Sequence, residues 1–168
     1  MTTKYDFTGK VALITGSSSG IGAATAVLLA KSGANVVITG RNAENVSKVS
    51  KQCSDVSPKH LKPLEVVADV TKEEDLHRLL DTTIKTFGKL DILVNNAGGG
   101  SLVAITDENF IKNHKSVINT NVNSVVYLTY ISVPYLEKSK GNIINISSIA
   151  SFVTVSITSL NVPNIRQY

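Results

Sequence analysis

Val11-Ala12-Leu13-Ile14 runs straight into Thr15-Gly16-Ser17-Ser18-Ser19-Gly20-Ile21-Gly22, and the reading of this stretch decides the fold. Four apolar residues with no polar alternation predict a strand covered on both faces. A helix is predicted from about Ile21, with Ile21, Ala24 and Leu28 on one face and Gly33 as its left-handed cap. Between them the glycines let the backbone turn sharply. The helix amino terminus beyond offers free N–H groups and the positive end of a dipole, which suits an anionic diphosphate. The hydroxyls of Ser17, Ser18 and Ser19 are expected to add donors. An ordinary Gly/Ser turn is the plainer alternative, and the strand–turn–helix setting argues against it. No Gly-Lys-Ser/Thr closes the turn, so a Walker loop is excluded.

Outward from the turn, β-branched runs alternate with helical periods, the pattern of βαβ units in a parallel sheet. Strands are predicted at 35–39, 64–68, 90–94 and 142–146. A helix from about Asn42 carries Val46, Val49 and Cys53. Thr71 and Glu74 read as a capping box opening a helix with Leu76, Leu80, Thr83 and Phe87, closed by Gly88. A Gly-rich loop from Asn96 to Ser101 leads to a helical region from Thr106 to about Lys138, which Pro134 is expected to bend. The expected fold class is α/β, a doubly wound parallel sheet of Rossmann type.

Composition removes other classes. The 168 residues are 42% hydrophobic, enough for one domain with a buried core. Seventeen Lys and Arg against thirteen Asp and Glu leave +4, scattered without a block, which does not favour a nucleic-acid partner. Cys53 is the sole cysteine, so an internal disulfide or a cysteine zinc site is excluded and a reducing, cytoplasmic setting is expected. No apolar run nears the roughly 18 residues of a membrane span. The first residues carry no apolar segment of signal-peptide type.

The end of the second strand selects among dinucleotides. NAD sites usually carry Asp or Glu about 20 residues beyond the glycines, to hold the ribose hydroxyls. Thr39-Gly40-Arg41-Asn42 stands there instead. A guanidinium grips a 2′-phosphate through charge-assisted bonds, whereas a carboxylate repels it. Arg41 therefore favours NADP over NAD, the alternative being a solvated arginine at a helix start.

At this point the chain resembles the short-chain dehydrogenases/reductases, in particular their NADP-preferring 3-oxoacyl-reductase-like members. Thr15 to Gly22 is similar to the family's cofactor turn, with Thr15, Gly16, Ser18, Ser19, Gly20, Ile21 and Gly22 as expected cofactor residues. Asp69-Val70 resembles its adenine contact, and Asn95-Asn96-Ala97-Gly98 its motif after the fourth strand. Asn121 looks like the helical asparagine of the catalytic tetrad, and Ser148 like the catalytic serine. These matches run in family order over roughly residues 8 to 150. The resemblance implies hydride transfer between NADP(H) and a small-molecule alcohol or ketone. The serine orients the substrate oxygen, and a tyrosine exchanges the proton, its pKa lowered by a lysine one helical turn later. It also implies a homo-oligomer.

The resemblance breaks at that last pair. Family spacing from Ser148 puts the tyrosine at Asn161 and the lysine at Ile165, and neither side chain does that chemistry. Tyr168 is the only tyrosine after Ser148, and no lysine follows it. From Gly141 onward Arg166 is the sole charge. The expectation is one incomplete dinucleotide-binding domain over 1–168, family-like over 1–150 with a divergent tail over 151–168. Its later strands and much of its oligomer interface would then be missing, and the fifth strand would be an uncovered edge. Three readings follow: an NADP-dependent oxidoreductase, a catalytically inactive, truncated form that acts by binding cofactor, or a fragment without function.

Overall fold

A computed structural model describes residues 5–100 and 103–148. The strands are β1 (Val11–Ile14), β2 (Asn35–Gly40), β3 (Leu64–Val67), β4 (Ile92–Asn95) and β5 (Asn142–Asn145). The helices are α1 (Gly20–Lys31), α2 (Ala43–Val56), α3 (Glu73–Phe87), α4 (Phe110–Ile118) and α5 (Ser124–Ser139), with a π turn at Asn119–Asn123 joining the last two. All strand pairs are parallel, in the order β3-β2-β1-β4-β5. The chain builds outward from β1 to β3, then returns to place β4 on the other side of β1. The expected α/β, Rossmann-type sheet is present.

Period-two alternation splits the strands between two cores. Ala12, Ile14, Val36, Ile38 and Val94 face α1 and α2, meeting Ala26, Ala30, Val46, Val49 and Cys53. Leu13, Val37, Val66 and Leu93 face α3 and α5, meeting Leu76, Leu79, Leu80, Leu128 and Leu136. Every residue of β1 and β4 is buried, as covering helices on both faces require. β5 pairs with β4 and is exposed along its length, the sheet edge among the described residues.

Three local expectations are corrected. Ile21 and Leu28 point to solvent, and α1 instead buries Gly22, Ala26 and Ala30, because a helix starting flush against the turn must press its small residues on the sheet. The capping box does not form: Lys72 occupies the N-cap of α3 without a side-chain cap bond, while Thr71 donates to Asp69 Oδ1 from both backbone and hydroxyl. The helical region opens at Phe110 rather than Thr106 and contains a π turn, and Pro134 lies inside α5. On α5, Tyr135 rests against the core and Tyr130 is exposed. Gly33 and Gly88 end their helices with positive φ as predicted, and α2 begins beside Asn42 as predicted, the Asn42 side chain accepting from Asn45 N as its cap.

Candidate functional site

The site begins with one hydroxyl. Thr15 Oγ1 accepts from the amides of Asn96 and Ala97, both at 2.9 Å, and donates to Val94 O at 3.3 Å. Asn96 returns the tie by donating from Nδ2 to Thr15 O at 2.8 Å. The turn after β1 and the loop after β4 are thus locked together across the point where the strand order reverses, where open α/β sheets bind ligands.

Two glycines make that approach possible. Gly16 has φ +63°, and a Cβ there would stand 2.9 Å from Ala97 Cα. A Cβ on Gly22 would stand 2.5 Å from Gly16 O and against Asn96 Nδ2. Ser19 caps α1 without a side-chain bond, and the first intrahelical bond runs from Ala23 N to Ser19 O at 3.1 Å. The amides of Gly20, Ile21 and Gly22 therefore have no partner within the helix, and no acidic residue in its first turn offsets the dipole. Ser17 is not among the donors as expected. Its Oγ is buried, accepts from Thr39 N at 2.9 Å and so pins the turn to β2.

A cavity of about 660 Å³ opens over this turn. Gly16, Ser18, Ser19, Gly20 and Ile21 line it from below, and Arg41, Asp69 and Val70 from the ends of β2 and β3. Asn96, Ala97 and Gly98 form the β4 side. Thr15, Gly22 and Asn95 lie outside the lining; Thr15 and Asn95 are buried beneath it, and Gly22 is buried in α1. Burial alone would raise the Asp69 pKa, but Thr71 donors, with the charges of Arg41 and Lys72, outweigh it and hold the carboxyl below its ordinary value.

Sequence reasoning missed one wall. Asn113, Ser116, Val117 and Thr120 of α4 and the π turn complete the cavity. Their three- and four-residue spacing marks a single helix face. The signal was present, but it is polar and so does not register as a core stripe. Asn121 sits in the π turn, where Oδ1 accepts from Gly99 N and Nδ2 donates to Gly99 O, both at 2.9 Å. Ser148 follows β5 on the exposed edge. Tyr168, Asn161 and Ile165 lie outside the described residues. Among the described residues no cluster of three or more His, Cys, Asp or Glu is placed to hold a metal, and no helix is long and apolar enough to cross a membrane.

Residues 10–160 match the short chain dehydrogenase family. The chain belongs to that family. It is 37% identical over 153 residues to 11-beta-hydroxysteroid dehydrogenase-like 2 of Arabidopsis thaliana, covering 91% of this chain and 49% of the relative. It is 42% identical to an uncharacterised oxidoreductase of Staphylococcus aureus, covering 90% and 64%. Among solved structures, the apo glucose dehydrogenase of Caenorhabditis elegans shares 47% identity at TM-score 0.74, over 86% of this chain and 56% of that one. A 7 alpha-hydroxysteroid dehydrogenase complexed with NADH and 7-oxo glycochenodeoxycholic acid shares 33% at TM-score 0.82, over 88% and 56%. The chain thus spans about half to two thirds of the length of the proteins it matches.

The family's cofactor is a nicotinamide dinucleotide, and the residues present fit one. Gly16 and Gly22 leave room for the turn and the β4 loop to close on each other, and the free amides at the start of α1 face no competing carboxylate in the first turn.

Proposed function

We propose that the chain binds NADP(H) in the cavity over the glycine turn. We propose further that its protein is a cytoplasmic oxidoreductase moving hydride between that nucleotide and a carbon of a small alcohol or ketone. The observation that carries this reading is Arg41 lining the same cavity as the turn, where a carboxylate would favour NAD. The amides of Gly20, Ile21 and Gly22 receive the diphosphate, Arg41 grips the 2′-phosphate, and Asp69 and Val70 flank the adenine. When bound, the nucleotide supplies the hydride or takes it up. Ser148 donates a hydrogen bond to the substrate oxygen, and Asn121 holds Gly99 and with it the loop that closes the cavity. Similar proteins named for steroid and glucose oxidation differ widely in substrate, so the class proposed stays at small alcohols and ketones.

A second reading, binding without turnover, is favoured by Asn161 and Ile165 where the family carries its proton-exchanging tyrosine and lysine. An unperturbed phenol near pKa 10 is already a poor base at neutral pH, and an amide is none.

Titration calorimetry with NADP and NAD tests the binding half. Arg41→Asp is expected to weaken NADP by about 2 kcal/mol more than NAD, the scale of a charge-assisted contact. Equal losses would mean that Arg41 does not read the phosphate, and no heat with either nucleotide would end the proposal. Nucleotide absorbance with a panel of ketones separates the two readings: turnover supports the enzyme, and binding without turnover supports the second.

A further inference from the structure

The two asparagines at the end of β4 face opposite sides of the sheet, as strand neighbours do. Asn96 turns toward the glycine turn and bonds Thr15 O. Asn95 turns toward α5, where it is 4% exposed. Its Nδ2 donates to Asn145 Oδ1 on β5 at 2.9 Å and to Thr129 Oγ1 on α5 at 3.2 Å. The backbone adds a third tie, Ile146 N donating to Asn95 O at 2.9 Å, and Asn145 is the register partner of Asn95. One residue therefore holds the last rung between β4 and β5 by main chain and side chain, and links that rung to the helix above. A buried amide with both hydrogens engaged is costly to rearrange. The main chain of Ile146, Ser147 and Ser148 leaves the sheet from this fixed point.

We propose that Asn95 is a positioning residue and not a cofactor contact: its side-chain amide fixes the carboxyl end of β5 and so sets the place of the Ser148 hydroxyl relative to the glycine cradle. The importance of Ser148 rests on the proposed function. The division of labour between Asn95 and Asn96 stands apart from it.

The test uses the full chain, isotope-labelled, with NADP as probe, and compares Asn95→Ala, Asn145→Ala and Asn96→Ala. Asn95→Ala and Asn145→Ala are expected to shift the amide resonances of Ile146, Ser147 and Ser148 alike. Both should speed hydrogen exchange at Ile146 about tenfold, the size of one lost hydrogen bond, while the NADP dissociation constant moves by less than about threefold. Asn96→Ala should do the reverse, weakening NADP about tenfold and leaving Ile146 exchange alone. Asn95→Asp keeps acceptors for Thr129 and for a reoriented Asn145 amide, and should restore the shifted resonances toward the parent.

If Asn95→Ala weakens NADP as much as Asn96→Ala does, the residue is a cofactor contact and the proposal fails. If Ile146 exchange is unchanged in both Asn95→Ala and Asn145→Ala, the side chain does not hold the rung and the proposal fails again. Asn145→Ala cuts the same bond from the exposed strand, so it decides the matter even if Asn95→Ala does not fold. A parent chain that takes up no nucleotide would overturn the proposed function, while the exchange measurement would still judge Asn95.

Discussion

At the scale of single residues, the cradle depends on what is missing at Gly22. Adding one methyl there sets a Cβ 2.5 Å from Gly16 O, a backbone atom that cannot swing aside. Gly22→Ala is expected to lower stability by about 1–3 kcal/mol, the range for overpacking a tight site, with a matching fall in Tm. NADP uptake should fall with it, because the turn and the start of α1 must part. Wild-type affinity in a folded Gly22→Ala protein would show that the cradle tolerates the separation. Cys53 makes an opposite case, a reactive group silenced by its surroundings. Burial pushes its thiol pKa to about 11. Since the thiolate is the attacking form, an aromatic disulfide reagent near neutral pH should label Cys53 only as fast as the protein unfolds. Prompt labelling of the native chain would contradict this.

At the scale of elements, function and stability occupy opposite ends of the sheet. The cavity lies over the carboxyl ends of β1, β2 and β4, whereas Asp91 knots the amino ends together. Its carboxylate accepts from Val11 N at 2.9 Å and pairs with Lys10 at 3.1 Å and Lys89 at 3.0 Å, with its side chain 4% exposed. Burial alone would raise its pKa, but the Val11 amide and the two lysines outweigh it and hold it below the ordinary value. A depressed pKa brings stability that is complete above the unfolded value near ~3.9 and is lost as pH falls through the folded value. Asp91→Asn should cost about 1–3 kcal/mol at neutral pH, mainly through weakened pairing of a buried group, the lysines being half exposed. Urea midpoints should show the gap between variant and parent narrowing below pH ~4. A gap that holds constant into strong acid would mean that the charge is not its source. The α4–α5 helical run shows the same separation within one element. Its polar face lines the cavity, while Ile118, Val122, Val126 and Tyr130 stand exposed at four-residue intervals.

At the scale of the whole molecule, the glycine turn, the β4 loop and α4 meet only because β4 returns beside β1. A ligand seated among them binds the folded chain and not the unfolded one. NADP at about a hundred times its dissociation constant should therefore stabilise the protein by about 2.7 kcal/mol, read as a rise in Tm. A melting point indifferent to NADP would count against the site. Much of this was legible beforehand. The apolar tetrad of β1, the glycine spacing, Arg41, the helix start near Asn42 and the helix ends at Gly33 and Gly88 are local signals, because backbone conformation and strand or helix period act over a few residues. The sequence by itself determined the α/β class, the strand–turn–helix cradle and the family. It misjudged α1, where counting large apolar residues picked the exposed face, and it could not say which way the side chains of Asn95 and Asn96 turn. Tertiary structure alone decided those matters, along with the α4 wall and the committed hydroxyls of Thr15 and Ser17. Each depends on which distant strand or helix comes to lie within about 3 Å, a distance that no spacing along the chain encodes.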